Sequence, residues 1–297
     1  MKQVLIRRGS PAVVDVPAPQ LTDNSILVEV RFSLISTGTE IAGLVSANKS
    51  ILRQAIEDPR KVVRGLQMIK DAGFRRTMAV VDGELETAFP AGYSCSGEVL
   101  ACGKNVTGFS VGDRVACGGA GRANHAEIVA IPQNLAVRVP EGCDLESAAA
   151  ATIGAIAMQG FRRADVRLGE TVAVIGLGLI GQFTVQLLKA AGCKVIGIDI
   201  DPERIANAGA FGITAAVNSS DGMPVRDVLN HTEGRGADAV VITASSTTAT
   251  VLQEAMQIVR RKGRVVVVGA VPLQLERSPF YEKEADLLMS CSYGPGR

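Results

Sequence analysis

The sequence has little net charge, no long apolar run and no cysteine pair of the CxxC type. It carries 31 Lys and Arg against 30 Asp and Glu among 297 residues, for a formal net charge of +1. A nearly neutral chain gives no reason to expect nucleic acid or a membrane surface as a partner. No apolar run reaches the roughly 20 residues that span a bilayer, and the opening MKQVLIRRG has no secretory apolar core. We therefore expect a cytoplasmic protein.

Cysteine use points the same way. The six cysteines stand at positions 95, 102, 117, 143, 193 and 291. Without a CxxC pair, we expect reduced thiols in a reducing compartment and no disulfides. At 47% apolar residues, the chain is long enough to form two hydrophobic cores.

The most informative stretch is residues 171–199, TVAVIGLGLIGQFTVQLLKAAGCKVIGID. Its first five residues form an apolar, β-branched run that suits a strand buried on both faces. The run stops at Gly176, Gly178 and Gly181, which in this spacing allow a tight turn, backbone approach to a pyrophosphate, and close packing of a helix on its strand. An amphipathic helix and a second strand follow, and the second strand delivers Asp199. The stretch therefore predicts a dinucleotide-binding unit.

The residues around Asp199 bear on which dinucleotide binds. We expect the phosphates at the helix N-terminus, where unpaired N–H groups and the helix dipole favour negative charge. The Asp199 carboxylate would accept hydrogen bonds from ribose hydroxyls and repel a 2′-phosphate, which favours NAD over NADP. Asp201 either adds to that repulsion or caps the next helix. Arg204 keeps NADP from being excluded.

The rest of this half alternates strands and helices, which predicts a parallel sheet with right-handed crossovers. Strands are expected at 215–218, 237–243, 264–268 and 287–291, and a helix at 248–262. The carboxyl ends of the strands should line the cofactor crevice. The predicted cofactor-binding residues are Gly176, Leu177, Gly178, Leu179, Ile180, Gly181, Asp199, Ile200, Arg204, Thr243, Ala244, Val268, Gly269 and Ala270.

The first half is rich in β patterns, interrupted by a helical segment at about 46–80. Between positions 49 and 76 this segment holds eight Lys or Arg against three acids. It is either a solvated face or a surface that attracts an anionic substrate.

Three motifs in order resemble the medium-chain dehydrogenase/reductase superfamily of zinc-type alcohol dehydrogenases and quinone reductases: GEVLACGKNVTGFSVGDRV, AEIVAIP and VIGLGLIG. The resemblance covers nearly the whole chain. It implies an α/β protein, with a GroES-like β-barrel catalytic domain at 1–145 beside a Rossmann NAD-binding domain at 146–297, and an active site in the cleft between them. The family often pairs through the edge of the Rossmann sheet, here near residues 272–293, so a homo-oligomer is one of the states that the sequence leaves open.

A narrower resemblance concerns STGTE, GYSCSGEV and the closing PFYEKEADLLMSCSYGPGR. These are most similar to a bacterial branch in which the unit is fused to a second oxidoreductase domain, so a fused or partner oxidoreductase domain is expected. In the superfamily the chain returns to the β-barrel after the sixth Rossmann strand. That segment has no counterpart here, so we expect the chain alone to bind NAD but to turn over poorly.

The resemblance also implies where a catalytic zinc would bind. Zinc-containing members carry a cysteine before Gly-Thr-Asp/Glu, a Gly-His-Glu motif, and a third ligand before the first Rossmann strand. The matching positions hold Thr37, Tyr93 and roughly Ala151. None can replace a thiolate or imidazole ligand. The four cysteines of the structural zinc lobe are also missing, so we expect no zinc.

Without zinc, another group must polarise a carbonyl as hydride arrives. Tyr93 is the first catalytic candidate, since its phenol can donate a hydrogen bond and a proton, and a cleft-lining packing residue is the alternative. Thr37 and Thr39 are hydroxyl candidates for the same oxygen, and Glu40 either relays a proton or caps a helix. We expect His125 at the surface, and Lys283 is a further residue considered for the cleft.

The function favoured by these residues is an NAD(P)-dependent, zinc-independent oxidoreductase. Its small-molecule substrate would be an alcohol or carbonyl compound, such as a sugar or polyol derivative. Two alternatives stay open. A quinone or enone reductase needs no zinc because its substrate is already conjugated, and a sensor or scaffold domain would bind NAD without catalysis.

Overall fold

The computed structural model describes residues 1–7, 10–38, 40, 88–222 and 224–295. The predicted helical segment at about 46–80, with its basic residues, and Thr39 lie outside the described residues. The chain divides into two units, Met1–Ala151 and Thr152–Arg297. None of the helices in the described part is long and apolar enough to cross a membrane.

The first unit is built from antiparallel β-strands. A five-stranded sheet has the order β7-β3-β5-β6-β8, and a three-stranded sheet has the order β2-β1-β4. Alternating residues of β3, including Ile26 and Val28, are fully buried and form the core of this unit with apolar residues of β5, β6 and β7. The strands are β1 Lys2–Arg7, β2 Ser10–Asp15, β3 Ser25–Ser33, β4 Phe89–Pro90, β5 Ser94–Cys102, β6 Arg114–Gly118, β7 Ile128–Pro132 and β8 Ala136–Arg138.

A short helix, α1 Leu145–Ala148, belongs to this unit. The Asp144 side chain caps it by accepting the Ser147 N–H at 2.6 Å. Two buried hydroxyls of β5 hold it in place: Ser94 donates to the Ala149 carbonyl at 2.6 Å, and Ser96 donates to the Leu145 carbonyl. The first unit therefore continues to Ala151, whereas the predicted boundary falls after residue 145.

The second unit is a six-stranded sheet of the order β11-β10-β9-β12-β13-β14, with every neighbouring pair parallel. This is the doubly wound arrangement that the sequence predicts, with the strand order reversing at β9. The strands are β9 Thr171–Ile175, β10 Lys194–Asp199, β11 Ala215–Asn218, β12 Ala237–Ile242, β13 Val259–Val267 and β14 Asp286–Met289. The helices are α2 Ala151–Ala164, α3 Leu179–Ala190, α4 Pro202–Ala210, α5 Pro224–His231, α6 Thr250–Ile258 and α7 Arg277–Lys283.

Both faces of this sheet are covered, which explains the continuous apolar run of β9. Val172 and Val174 pack in one buried cluster with residues of α2, α3 and α4. Ala173 and Ile175 pack in the other, with residues of α5 and α6. Alternate residues of one strand thus belong to two cores, so none of the buried positions 172–175 of β9 can be polar without cost.

The predicted helix at 248–262 is wrong at its end. Helix α6 stops at Ile258, and β13 begins at Val259 instead of residue 264. Val259 is buried and pairs with Ala237, and a register shift follows before the regular pairing resumes. Burial of Val259 therefore outweighs the helical pattern that continues past it.

Lys283, which the sequence offered as a cleft residue, contacts the junction between α6 and β13. Its ammonium donates to the carbonyls of Gln257 and Val259, at the end of α6. Burial lowers the pKa of this amine. The lysine supplies a donor to carbonyls that the end of a helix leaves unpaired.

A largely buried ion pair ties β13 to the loop before β9. One Arg264 nitrogen lies 2.7 Å from both carboxylate oxygens of Glu170, and another donates to the Asp165 carbonyl at 2.5 Å. The two side chains are only 14% and 16% exposed. Removing one partner would leave the other charge buried and unpaired.

We predict that Arg264→Met lowers the free energy of unfolding by about 3 kcal/mol, because it leaves the Glu170 carboxylate unpaired. Urea unfolding followed by circular dichroism measures the loss. The matched control is Arg261→Met on the same strand, whose side chain is 72% exposed and whose loss should stay below about 1 kcal/mol. Equal losses for the two variants would contradict the assignment.

Candidate functional site

The glycine turn between β9 and α3 has three different environments. Gly176 has a φ of +93°, and an added Cβ would lie 2.6 Å from the Ala244 nitrogen. An added Cβ at Gly181 would collide with the Gly176 carbonyl. At Gly178 an added Cβ would meet no atom within 4 Å. The fold therefore requires glycine at the first and third positions, while the second faces open space.

The open side of Gly178 is the N-terminus of a twelve-residue helix. Gly178 is the N-cap of α3, no side chain caps it, and its first turn holds no acidic residue. The unpaired N–H groups and the positive end of the helix dipole are therefore available to an anion. These residues fit the pyrophosphate of a dinucleotide.

Asp199, at the end of β10, is fixed beside this turn. It is 6% exposed, and its carboxylate accepts the Leu177 N–H at 2.6 Å and the Asp201 N–H at 2.9 Å. Arg204 lies nearby, with a guanidinium nitrogen 3.9 Å from the Asp199 carboxylate and another 3.3 Å from that of Asp201. Asp199 thus orders the turn through one oxygen and presents a negative charge next to it.

Asp201 is the N-cap of α4, as one of the two interpretations predicts. Its carboxylate accepts the Glu203 N–H at 2.9 Å. Its predicted repulsion of a 2′-phosphate stays a prediction. Ile200, between the two acids, is exposed.

The remaining predicted cofactor residues lie at the carboxyl ends of β12 and β13. The Thr243 hydroxyl donates to the Gly176 carbonyl, and the Thr243 and Ala244 N–H groups donate to the Ile175 carbonyl at 2.9 and 3.0 Å. The Val268 and Gly269 N–H groups both donate to the end of β12 at 2.9 Å. The Ala270 carbonyl accepts from Ser246. The structure therefore brings the predicted residues to one edge of the sheet, around the glycine turn.

The catalytic candidates lie in the first unit, with varied surroundings. Tyr93 immediately precedes β5, and its hydroxyl is buried with no hydrogen-bond partner among the described residues. Thr37 is exposed. Glu40 is half-buried, and its carboxylate accepts the Ser36 N–H at 2.9 Å, which is a capping contact. An unpartnered buried hydroxyl is uncommon and marks Tyr93 as the exceptional group of this set.

The expectation that His125 lies at the surface is wrong. Its side chain is 10% exposed, with Nδ1 2.9 Å from the Ser33 hydroxyl and Nε2 3.3 Å from the Glu40 carboxylate. His125 lies 92 and 85 positions from these two partners in the sequence, and no local pattern joins it to them. In the sequence, the only sign that His125 has a special role is that it is a single histidine next to the glycine-rich residues 118–122.

Two family models match the chain. The model described as "Zinc-binding dehydrogenase" matches residues 180–297, and the model "Alcohol dehydrogenase GroES-like domain" matches residues 69–141. Together they match more than half of the sequence, in the order of the two structural units.

Curated relatives carry names of sugar and polyol dehydrogenases. D-guloside 3-dehydrogenase of Escherichia coli (strain K12) is 28% identical over 267 residues, covering 87% of this chain and 70% of that protein. Sorbitol dehydrogenase of Bacillus subtilis (strain 168) is 30% identical over 220 residues, covering 65% of this chain and 62% of that protein.

Solved structures show the same fold. Galactitol-1-phosphate dehydrogenase from Escherichia coli superposes with a TM-score of 0.77 at 20% identity, covering 98% of this chain and 83% of that one. A quinone oxidoreductase of Pseudomonas syringae pv. Tomato DC3000 gives 0.72 at 22% identity, covering 99% and 82%.

An antiparallel GroES-like unit followed by a doubly wound dinucleotide-binding sheet defines the class of NAD(P)-dependent, alcohol dehydrogenase-like oxidoreductases. Within that class, the chain belongs to the zinc-type alcohol dehydrogenase-like medium-chain dehydrogenase/reductase superfamily. The predicted fold class is confirmed.

The residues at the zinc-ligand positions do not fit the metal that the family name implies. Thr37, Tyr93 and Ala151 offer neither thiolate nor imidazole. Within the described ranges, no three or more His, Cys, Asp or Glu side chains are grouped so that they could hold a metal ion. No step of the proposed chemistry is therefore assigned to zinc.

We predict that Gly178→Ala leaves thermal stability unchanged but weakens dinucleotide binding about tenfold or more, roughly 1.4 kcal/mol. The added methyl occupies open space that the pyrophosphate needs. Calorimetric titration with NADH and a thermal melt measure the two effects.

Gly181→Ala is the matched comparison, because its methyl would collide with the Gly176 carbonyl. It should lower the melting temperature. NADH binding to Gly178→Ala at unchanged affinity would show that the open face of Gly178 is not the phosphate site.

Proposed function

We propose that this chain is a zinc-independent oxidoreductase that prefers NAD and exchanges hydride with an alcohol or carbonyl group of a sugar or polyol derivative. The observation that carries the proposal is the Tyr93 hydroxyl, which is buried and has no hydrogen-bond partner among the residues that the structure describes, at a position where the resemblance implies a histidine ligand. The names of the two curated relatives, a D-guloside and a sorbitol dehydrogenase, support the substrate class.

The preference for NAD is supported by Asp199. Each of its carboxylate oxygens has a second lone pair, so it can accept a ribose hydroxyl while it holds the glycine turn. Its negative charge is unfavourable for a 2′-phosphate at the same point. Arg204, which contacts both acids, keeps NADP as the alternative. The bound nicotinamide would supply or accept the hydride.

We assign the proton step to Tyr93. A carbonyl oxygen becomes an alkoxide as hydride adds to its carbon, so a donor is needed at that oxygen. A buried phenol without a partner loses no existing hydrogen bond when it donates to the substrate. Thr37 and Thr39 are proposed as further donors to the same oxygen, and Glu40 as a proton relay.

Three further proposals come from the sequence analysis. The substrate is anionic, the chain associates with copies of itself, and a second oxidoreductase domain is fused to it or binds it. The chain spans 70% of the D-guloside dehydrogenase and 62% of the sorbitol dehydrogenase that it matches.

We predict that NADH binds more tightly than NADPH, and that Asp199→Ala narrows this difference by about 1–3 kcal/mol. The substitution removes the charge that repels a 2′-phosphate. Because Asp199 also orders the Leu177 N–H, the variant should bind both dinucleotides more weakly, with the larger loss for NADH. Titration calorimetry with both cofactors gives the four affinities.

Asp201→Ala is the control for this experiment. It removes a neighbouring charge that does not contact the glycine turn, so its effect on the NADH/NADPH ratio should be smaller. Equal affinity of the unmutated protein for NADH and NADPH would reject the preference.

We predict that Tyr93→Phe reduces turnover of sugar and polyol substrates by roughly 10²-fold or more, the usual size of a lost acid–base group. It should leave NADH affinity unchanged, because only a hydroxyl is removed. Steady-state kinetics with a panel of polyols, sugar derivatives and quinones, together with NADH titration, makes the measurement. Tyr281→Phe, at an exposed tyrosine, should change neither quantity.

Metal analysis of the unmutated protein should find far less than one equivalent of zinc per chain, and treatment with a chelator should leave its turnover unchanged. One equivalent of zinc per chain would contradict the zinc-independent mechanism. Turnover of quinones alone would favour the reductase alternative. NADH binding without turnover of any substrate in the panel would favour the sensor or scaffold alternative.

A further inference from the structure

Two polar side chains of the first unit, those of Ser33 and Glu40, contact the imidazole of His125. His125 Nδ1 is 2.9 Å from the Ser33 hydroxyl at the end of β3, and Nε2 is 3.3 Å from a Glu40 carboxylate oxygen. The other Glu40 oxygen accepts the Ser36 N–H at 2.9 Å. Both ring nitrogens of His125 therefore have partners, and the ring plane is fixed. We refer to Ser33, Glu40 and His125 as the imidazole clamp.

The clamped ring packs directly on Gly92. This glycine has a φ of +90°, and an added Cβ would lie 2.9 Å from the Cγ and Cε1 atoms of the imidazole. The His125 N–H also donates to the Ala91 carbonyl at 2.8 Å, and its carbonyl accepts from Val4. The backbone just before Tyr93 is thus held by His125 through both the main chain and the side chain.

Tyr93 itself has no comparable anchor at its far end. Its carbonyl accepts the Gly119 N–H at 3.0 Å, while its hydroxyl lacks a partner in the described part of the chain. The direction of the phenol therefore depends on the backbone that carries it. That backbone is the Gly92 turn, which the imidazole supports.

We propose that His125 is a positioning residue for Tyr93: held by Ser33 and Glu40, its ring fixes the Gly92 turn and so sets the place of the phenol. This inference rests on the proposed role of Tyr93 as proton donor. His125 acts through the Gly92 backbone and not by contact with the substrate. Disorder of the ring displaces the hydroxyl without removing it.

The chain offers a direct spectroscopic test, because it has no tryptophan and three tyrosines. The variant Tyr281→Phe/Tyr293→Phe retains Tyr93 as its single tyrosine. Near-ultraviolet circular dichroism of this background then reports the order around Tyr93, independently of activity. His125→Ala in this background should reduce the tyrosine signal, and His231→Ala, at the one other histidine, should leave it unchanged.

Kinetics on the same background give the second measurement. His125→Ala should lower kcat about tenfold or more, with a smaller change in the KM for NADH. In a Tyr93→Phe background the same substitution should cause no further loss of kcat, since there is no hydroxyl left to place. Glu40→Gln, which keeps the side-chain shape, should give a smaller effect in the same direction on both measurements, and it serves if His125→Ala fails to fold.

The outcomes separate the two proposals. Full turnover of Tyr93→Phe would reject Tyr93 as the proton donor, while a reduced tyrosine signal in His125→Ala would still support positioning. An unchanged signal and unchanged kcat in His125→Ala would overturn the positioning role. An equal loss of kcat with and without the Tyr93 hydroxyl would also overturn it, because His125 would then act independently of Tyr93.

Discussion

The hydrogen bond from the Leu177 N–H to the Asp199 carboxylate is the contact on which the nucleotide-binding half depends. It joins the end of β10 to the glycine turn after β9, and so connects the first two strands of the sheet at the edge where the phosphates are expected. The Thr243 hydroxyl adds a second tie, from the end of β12 to the Gly176 carbonyl. A turn that is ordered before a ligand arrives loses less entropy on binding.

Close approach of backbones is the second constraint on this edge. Gly181 lies so near the Gly176 carbonyl that no side chain fits, and Gly269 approaches the Ala244 carbonyl in the same way. Where the strands and the helix converge, there is no room for a side chain. At Gly178, by contrast, a side chain would meet no neighbouring atom. The distinction between a glycine needed by the fold and a glycine needed by a ligand can thus be read from geometry.

The sequence predicted the nucleotide-binding half well because each of its signals is local. The bounds of β9 and β11 match the predicted ones, and the Asp201 cap needs only the residues beside it. Predictions failed where distant residues decide the outcome. Pairing of Val259 with Ala237 shortened a helix, and contacts with Glu40 and Ser33 placed His125 in the interior. The short helices α5 and α7 were not predicted. The catalytic roles and the cofactor preference stay predictions.

The ion pair of Arg264 and Glu170 lies at the amino ends of β9 and β14, where Arg264 pairs with Asp286, whereas the glycine turn and Asp199 lie at the carboxyl ends of their strands. One end of the sheet therefore carries an electrostatic contact that stabilises the fold, and the other carries the residues predicted to bind the cofactor. Changes in the free energy of unfolding caused by substitutions at the two ends should be additive, since the substituted residues share no partner. Because of this separation, the thermal stability of such an enzyme can change during evolution without a change in cofactor preference. The amino ends of the strands are also the place where stabilising substitutions can be introduced without altering the predicted cofactor site.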